Sequence, residues 1–550
     1  MAVEWSFFME LSYKGIKDKA SWQNAGIQLP GYDAEACSKA AREKPCWVHF
    51  GIGNIFRIFL GGIADTLLEK GLLDKGITCV ETYDFEVVDK IYKPYDNLAL
   101  SVVLNNDGSR DYKVLGSLAE VVKGSTVFPE DWKRLKEIFR FPGLQFVSFT
   151  ITEKGYALYR TDGSYLPVIQ KDIENGPERP VSAMAVLTAM LLERFRTNKA
   201  PISLVSMDNC SKNGSLLRKS VTTIAEEWEK RGYVDSAFIQ YVTDEKTVAF
   251  PWTMIDKITP RPSETIADDL EKLGVRNMQP VTTKCRTYIA PFINAEKIQY
   301  LVIEDNFPNG RPPLESGNGV YLTDRTTVNL AERMKVTACL NPIHSATGPL
   351  GVLLGEPLFA DMLNTDADMM AMAKWIEYKE DLPVVKNPGI ISPEEFADEL
   401  FHIRFINEYL GDTNLRLCTD ESQGLSVRFG ETIKEYVSKS GTAENLVGVP
   451  LGIAGWLRYL LGVDDNGNSY ETAPDPMVDE LLMQMKGIKP GEPESLTTQL
   501  TPILSNTNLF GVDLYKAGLG HKIEGMFREM LCGNGSVRNT VHKYMNQTDG

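Results

Sequence analysis

Apolar positions follow two spacings in the first half of the chain. CWVHFGIG (46–53) is a short apolar run, and NIFRIFLGGIADTLLEKG (54–71) then sets Ile55, Phe59, Ile63 and Leu67 at helical spacing. GITCVE (76–81), LQFVSFTIT (144–152) and ISLVSMDN (202–209) read as further strands. AMAVLTAMLLERFR (183–196) and SLLRKSVTTIAEEWEKRG (215–232) read as helices. Strands alternating with helices predict βαβ units and a parallel sheet covered on both faces. From about residue 325 the pattern changes. ERMKVTACL, GEPLFADMLNTDADMMAMAKWIEYKE, SPEEFADELFHIRFINEYL and LFGVDLYKAGLGHKIEGMFREML are helical, with little alternation. The expected architecture is an α/β domain over 1–324 and a mostly helical domain over 325–550. The seam falls in or just after the Pro/Gly-rich NFPNGRPPLESGNG (306–319).

The 550 residues exceed one ordinary hydrophobic core, which agrees with two domains. A net charge of −16 without basic clusters argues against nucleic acid and anionic membranes as partners. The longest apolar stretch, GVPLGIAGWLRYLLGV, is too short to span a bilayer and contains Arg458. The first residues lack the charge and apolar pattern of a leader, and Met9 is an alternative start. The eight cysteines form no CxxC pair, so reduced thiols in a cytoplasmic protein are expected, with no disulfide framework or zinc ribbon.

Two stretches carry chemistry. In HFGIGNIFRIF, at a strand–helix junction, Gly51 permits a tight turn. Gly53 lets a pyrophosphate approach the backbone, with Ile52 between them and the N–H groups from Asn54 onward facing the anion. The third glycine of the dinucleotide fingerprint is missing, since Phe56 stands there. Glu81, at the end of the next strand, is the candidate acid for the adenosine ribose, with Asp84 as the alternative. An acid there favours NAD over NADP.

The second stretch is ERMKVTACLNPIHSATG (332–348). His344 has no HxxxH partner, so no metal is expected. A surface ion pair accounts for Glu332 and Lys335, and a capping role for Asn341 beside the helix-breaking Pro342. The catalytic alternative is that alcohol oxidation needs a base, donors for the developing alkoxide and a hydride acceptor. A buried lysine, two side-chain amides and NAD meet those needs without metal.

HFGIGNIFR, SFTITEKGY (148–156), SMDNCSKNG (206–214), FPWTMIDKITP (250–260), VIEDNFPNGRPPLE (302–315), ERMKV…LNPIHSA and GWLRYLLGVDDNGNSYETAPDP (455–476) occur in this order. Together they resemble the polyol-specific long-chain dehydrogenase family, from about residue 45 to near the C-terminus. The resemblance implies a Rossmann-type N-terminal domain, a helical C-terminal domain and an active site in the cleft between them. It implies metal-independent hydride transfer between NAD(H) and a polyol or sugar acid. By motif match Lys335 is the general acid/base. Asn209 and Asn341 polarise the reacting oxygen, His344 binds substrate, Glu332 conducts the proton to solvent, and Asp256 lies near the nicotinamide. Two departures stand out. Five residues separate Lys335 from Asn341 where relatives have four, so either a local bulge absorbs the extra residue or the lysine is displaced. Gly424 stands where relatives often carry lysine, while Arg428 matches.

Among family substrates, D-fructuronate, reduced to D-mannonate, is the favoured expectation. The fructose/mannitol pair and D-tagaturonate are the alternatives. A substrate carboxylate calls for a cation, for which Arg404, Arg428 and Lys212 are candidates, each with an ordinary ion-pair or solvent-exposed alternative. A protein that keeps the fold but only binds a dinucleotide or sugar acid is the reading from another class. Oligomeric state is left open.

Overall fold

The computed structural model describes residues 8–160 and 162–546, so the alternative start at Met9 is described and the first seven residues lie outside the described part. The chain forms two compact units, Met1–Asn329 and Leu330–Gly550.

The first unit is built on six parallel strands: β1 (Trp47–Phe50), β2 (Ile77–Glu81), β3 (Leu118–Lys123), β4 (Phe146–Phe149), β5 (Ile202–Ser206) and β6 (Val248–Ala249). Their order is β3-β2-β1-β4-β5-β6, the doubly wound arrangement of a Rossmann-type sheet, as expected from the alternation. The short strands read as unbroken apolar runs because both faces are covered. Val48, Phe50, Val147, Phe149 and Leu204 enter one core with helices α1 (Ala183–Thr197) and α2 (Asn213–Lys230). Trp47, Cys79, Phe146 and Val205 face the other, with Phe56, Phe59, Ile63 and Leu67 of the helix at 54–69. That helix contains a π-helical turn, Phe56–Leu60. Chain order reverses between β1 and β4, so the crevice beyond the ends of those strands is where a nucleotide belongs.

The sequence pattern did not reveal the smaller sheets. Ile27–Gln28, Arg110–Leu115, Ala99–Leu104 and Phe292–Ala295 make one of four strands, and Thr253–Asp256, Tyr300–Glu304 and Val320–Thr323 one of three. Ala99–Leu104 and Arg110–Leu115 pair as a local antiparallel hairpin, while other pairings in these sheets join residues up to roughly two hundred positions apart.

The second unit is helical. Helix α3 (Arg325–Met334) runs into a π-helical turn at Lys335–Cys339, followed by α4 (Asn341–Leu353) with Pro342 in its first turn. Helix α5 (Glu421–Arg428) and helix α6 (Gly448–Tyr459) pack against α4. A Cβ on Gly452 would come within 2.7 Å of the Ala346 Cβ, so glycine sets the close approach of α4 and α6. Helix α6 is the apolar stretch noted above, buried along its whole length. Its Arg458 donates to the carbonyls of Val463 (2.6 Å) and Met530 (3.2 Å), which satisfies a guanidinium inside a core. Among the described residues no helix is long and apolar enough to cross a membrane.

Candidate active site

In the first unit the chain leaves β1 through Gly51, whose φ is +90°. A Cβ there would overlap the Thr150 carbonyl oxygen, so the turn requires glycine. Gly53 faces open space, with nothing within 4 Å of where a Cβ would stand. The loop's other peptide groups are tied down. The Gly51 N–H donates to Val80 O (3.1 Å), Thr150 Oγ1 donates to Gly51 O (3.0 Å), and Tyr92 Oη donates to Ile52 O (2.8 Å). The N–H groups of Gly53, Asn54, Ile55 and Phe56 donate to no acceptor among the described residues. Four such donors at a helix start, beside a glycine that leaves room, make an anion cradle that suits a dinucleotide pyrophosphate. The Asn54 side chain is turned inward, where Oδ1 accepts from Arg57 (2.6 Å).

Glu81 ends β2 beside this loop. Its Oε1 accepts from the N–H groups of Thr82 (2.9 Å), Tyr83 (2.7 Å) and Asp84 (3.1 Å). Burial pushes its carboxyl above the usual range, against those bonds and one from the Ile52 N–H. Asp84, the alternative acid, is engaged elsewhere, with Oδ2 accepting from Thr283 Oγ1 (2.6 Å).

Beyond β5, the Asn213 side chain donates to Asp208 O (3.1 Å) and Thr253 Oγ1 (2.8 Å) and accepts from the Thr253 N–H (3.0 Å). This ties the loop carrying the exposed Asn209 and Lys212 to the strand Thr253–Asp256, which ends at buried Asp256. Lys212 adopts a left-handed backbone (φ +52°) immediately before α2.

In the second unit the π turn bears on the extra residue between Lys335 and Asn341. The Leu340 N–H donates to Lys335 O, five residues back, at 3.1 Å. An α turn closes over four residues and a π turn over five, so this turn takes up one residue without rotating the helix after it. Lys335 opens the turn and is 2% exposed, Glu332 lies one turn earlier, and Asn341 opens α4. The His344 ring packs edge-on to Phe359 (4.8 Å between centroids) and against Phe405 (5.5 Å). Phe405 directly follows Arg404, which is buried at the end of a π turn, Leu400–Arg404. The segments bearing His344 and Arg404 therefore meet.

Arg428 is already engaged. Its Nη1 donates to Glu421 Oε2 (2.7 Å) and to Ser345 Oγ (2.9 Å), beside His344. Gly424 makes room for this, because a Cβ there would stand 2.5 Å from Arg428 Nε. Among the described residues no group of three or more His, Cys, Asp or Glu side chains is arranged to hold a metal ion.

Two family models match the chain. Residues 46–316 match the mannitol dehydrogenase Rossmann domain, and residues 328–529 match the mannitol dehydrogenase C-terminal domain. The chain belongs to the mannitol dehydrogenase family. It is 48% identical over 544 residues to D-mannonate oxidoreductase of Thermotoga maritima, covering 98% of this chain and 100% of that one. A D-sorbitol dehydrogenase crystallised in substrate-free form superposes with a TM-score of 0.77 at 25% identity, over 94% of this chain and 98% of that one. Pseudomonas fluorescens mannitol 2-dehydrogenase, in a ternary complex with NAD and D-mannitol, gives 0.69 at 24% identity, over 98% and 99%. The fold class and the family expected from the sequence both hold.

In this mannitol dehydrogenase family member several supporting residues escaped the sequence reading. Tyr92, Thr150, Asn213 and Glu421 hold the candidate residues from distant positions, and no spacing rule links them. Glu421 is fully buried, and desolvation pushes its carboxyl up while Arg428 pulls it down. An Arg428→Met variant removes the counter-charge, so Glu421 must take a proton to stay buried. The native state then holds a proton that the unfolded state has released. Stability therefore falls as pH rises above the ordinary glutamate value near 4.5. Urea unfolding is expected to show a loss of about 3 kcal/mol at pH 8 and a smaller loss at pH 5. Equal losses at both pH values would contradict the pairing.

Proposed function

We propose that this protein is an NAD-dependent oxidoreductase that interconverts D-fructuronate and D-mannonate. The observation that carries the reading is the end-to-end 48% identity to D-mannonate oxidoreductase. The anion cradle at Gly53–Phe56 and the presence of Lys335, Asn341 and His344 on one helical segment support it.

NAD, when bound, accepts the hydride from the alcohol carbon or returns it to the ketone carbon. The chain's own residues do the remaining work. The cradle N–H groups hold the pyrophosphate, and Glu81 takes the adenosine ribose and repels a 2′-phosphate. Asp256 lies beside the nicotinamide. In the reductive direction Lys335 gives a proton from Nζ to the carbonyl oxygen as its carbon becomes tetrahedral. In the oxidative direction it takes that proton back. The Asn209 and Asn341 amides donate to this oxygen, where negative charge develops. His344 holds a neighbouring hydroxyl, and Glu332 passes the proton to solvent. Arg404 and Lys212 are the cations for the substrate carboxylate. A cytoplasmic location belongs to this reading, on the scattered spacing of the eight cysteines in the sequence.

A second reading, the neutral fructose/mannitol pair, draws on the engagement of Arg428 by Glu421, which leaves one cation fewer for a carboxylate. Product analysis decides between them. With NADH and D-fructuronate the expected product is D-mannonate, identified by NMR against the authentic acid. Failure to form it, with mannitol made from fructose, would establish the second reading.

Glu81→Ala is expected to weaken NADH binding about tenfold and to narrow the preference for NADH over NADPH. Titrating both nucleotides by fluorescence checks this. An unchanged ratio would remove Glu81 as the selecting acid.

A further inference from the structure

His49 takes no part in the chemistry above, yet it is fully buried in the middle of β1. Its Nδ1 lies 2.6 Å from Ser148 Oγ and its Nε2 2.9 Å from Thr150 Oγ1. The ring lies flat on Phe56, 3.9 Å between centroids and 5° from parallel. Phe56 begins the π turn of the helix that opens at the anion cradle.

The neighbours fix the proton directions. Trp47 Nε1–H is a donor only, and it points at Ser148 Oγ (2.7 Å). Ser148 accepts that bond and turns its own hydrogen to His49 Nδ1, since the competing acceptor Val48 O is 3.5 Å away. On the other side Thr150 Oγ1 gives its hydrogen to Gly51 O (3.0 Å), so it accepts from His49. The imidazole is therefore neutral, with its proton on Nε2, and its burial favours that uncharged form. A directed chain runs from Trp47 through Ser148, His49 and Thr150 to the Gly51 carbonyl.

The peptide joining Gly51 to Ile52 is trans, so its C=O and N–H point in opposite directions. The carbonyl is held by Thr150, and the N–H on the far side serves the Glu81 carboxylate. We infer that His49 is a positioning residue for the dinucleotide. Through Thr150 it sets the Gly51–Ile52 peptide plane, and through that plane it aims both the Gly53–Phe56 donors and Glu81. This rests on the reading of the loop as an NAD site.

The test cuts the last link while leaving the imidazole in place. Thr150→Val keeps the shape of the side chain and removes the hydroxyl, and Thr150→Ser restores it. NADH affinity, read by fluorescence titration, is expected to weaken about tenfold in Thr150→Val and to recover to within about twofold in Thr150→Ser. The KM for NADH should follow the binding constant, while kcat and the sugar-acid KM stay within about twofold. The preference for NADH over NADPH should narrow, as the Glu81 turn loosens. Selective ¹⁵N-histidine labelling of the wild type should show a neutral Nε2–H tautomer for His49, assigned with His49→Phe, which keeps the stacking. Unchanged NADH affinity in Thr150→Val, or an Nδ1–H tautomer in the wild type, would overturn the inference. Failure of the wild type itself to bind NADH would instead overturn the cofactor reading, and this inference with it.

Discussion

Replacing Lys335 with alanine is expected to lower turnover about a thousandfold and leave NADH affinity within about twofold. The lysine is 2% exposed at the start of a π turn. Such turns recur at functional sites, because they re-aim a side chain at the expense of regular hydrogen bonding. Proton transfer by a positioned side chain contributes about a hundredfold to ten-thousandfold, and the loss sits in the middle of that range. Alanine is a strong helix former, so the helical backbone at this position is retained. The expected pattern is a fall in kcat without a shift in the NADH titration. A small primary amine added to the variant should restore part of the rate, since it replaces the missing base. Undiminished turnover in the variant would remove Lys335 from the chemistry.

The second large effect is at the nucleotide loop, where two neighbouring glycines are expected to fail differently. In Gly51→Ala the new Cβ meets the Thr150 backbone at a φ of +90°. Neither the clash nor the backbone strain is relieved by turning a side chain, so destabilisation of about 3 kcal/mol or more is expected, together with loss of NADH binding. In Gly53→Ala the Cβ meets nothing within 4 Å, so the fold should stand. The added methyl group occupies the space a pyrophosphate needs, and NADH affinity should fall about a hundredfold with the melting temperature unchanged. Thermal melts and NADH titrations on both variants separate the two glycines. A Gly53→Ala protein that binds NADH normally would show that the cradle is not where the pyrophosphate lies.

The parts of this molecule that were legible in the sequence are those whose physics is local. CWVHFGIG and the helix after it declare themselves by spacing, and the alternation of such units gives the parallel sheet. Gly51 and Gly53 are legible because a left-handed turn and an open approach each need a missing side chain. The supports were not legible. His49 meets Ser148 and Thr150 across roughly a hundred residues, and Tyr92 reaches back forty to Ile52. Arg428 and Glu421 lie close in sequence, but their pairing depends on Gly424 leaving room between them. The extra residue before Asn341 is visible as a count, which admits either a bulge or a displaced lysine. The π turn that takes it up is a matter of backbone hydrogen bonding that no residue type specifies. The strands at 99–104 and 110–115 pair with each other as a local antiparallel hairpin, but the sheet they belong to is completed by Ile27–Gln28 and Phe292–Ala295 from far along the chain.

The central claim is that this chain reduces a keto-uronate with NADH and without metal. The most direct test is the ratio of kcat/KM for D-fructuronate to that for D-fructose, measured by NADH oxidation with purified protein and a chelator present. The account predicts clear turnover of D-fructuronate, a ratio of at least about a hundred, and no effect of the chelator. A ratio below one, or activity abolished by the chelator, would contradict it.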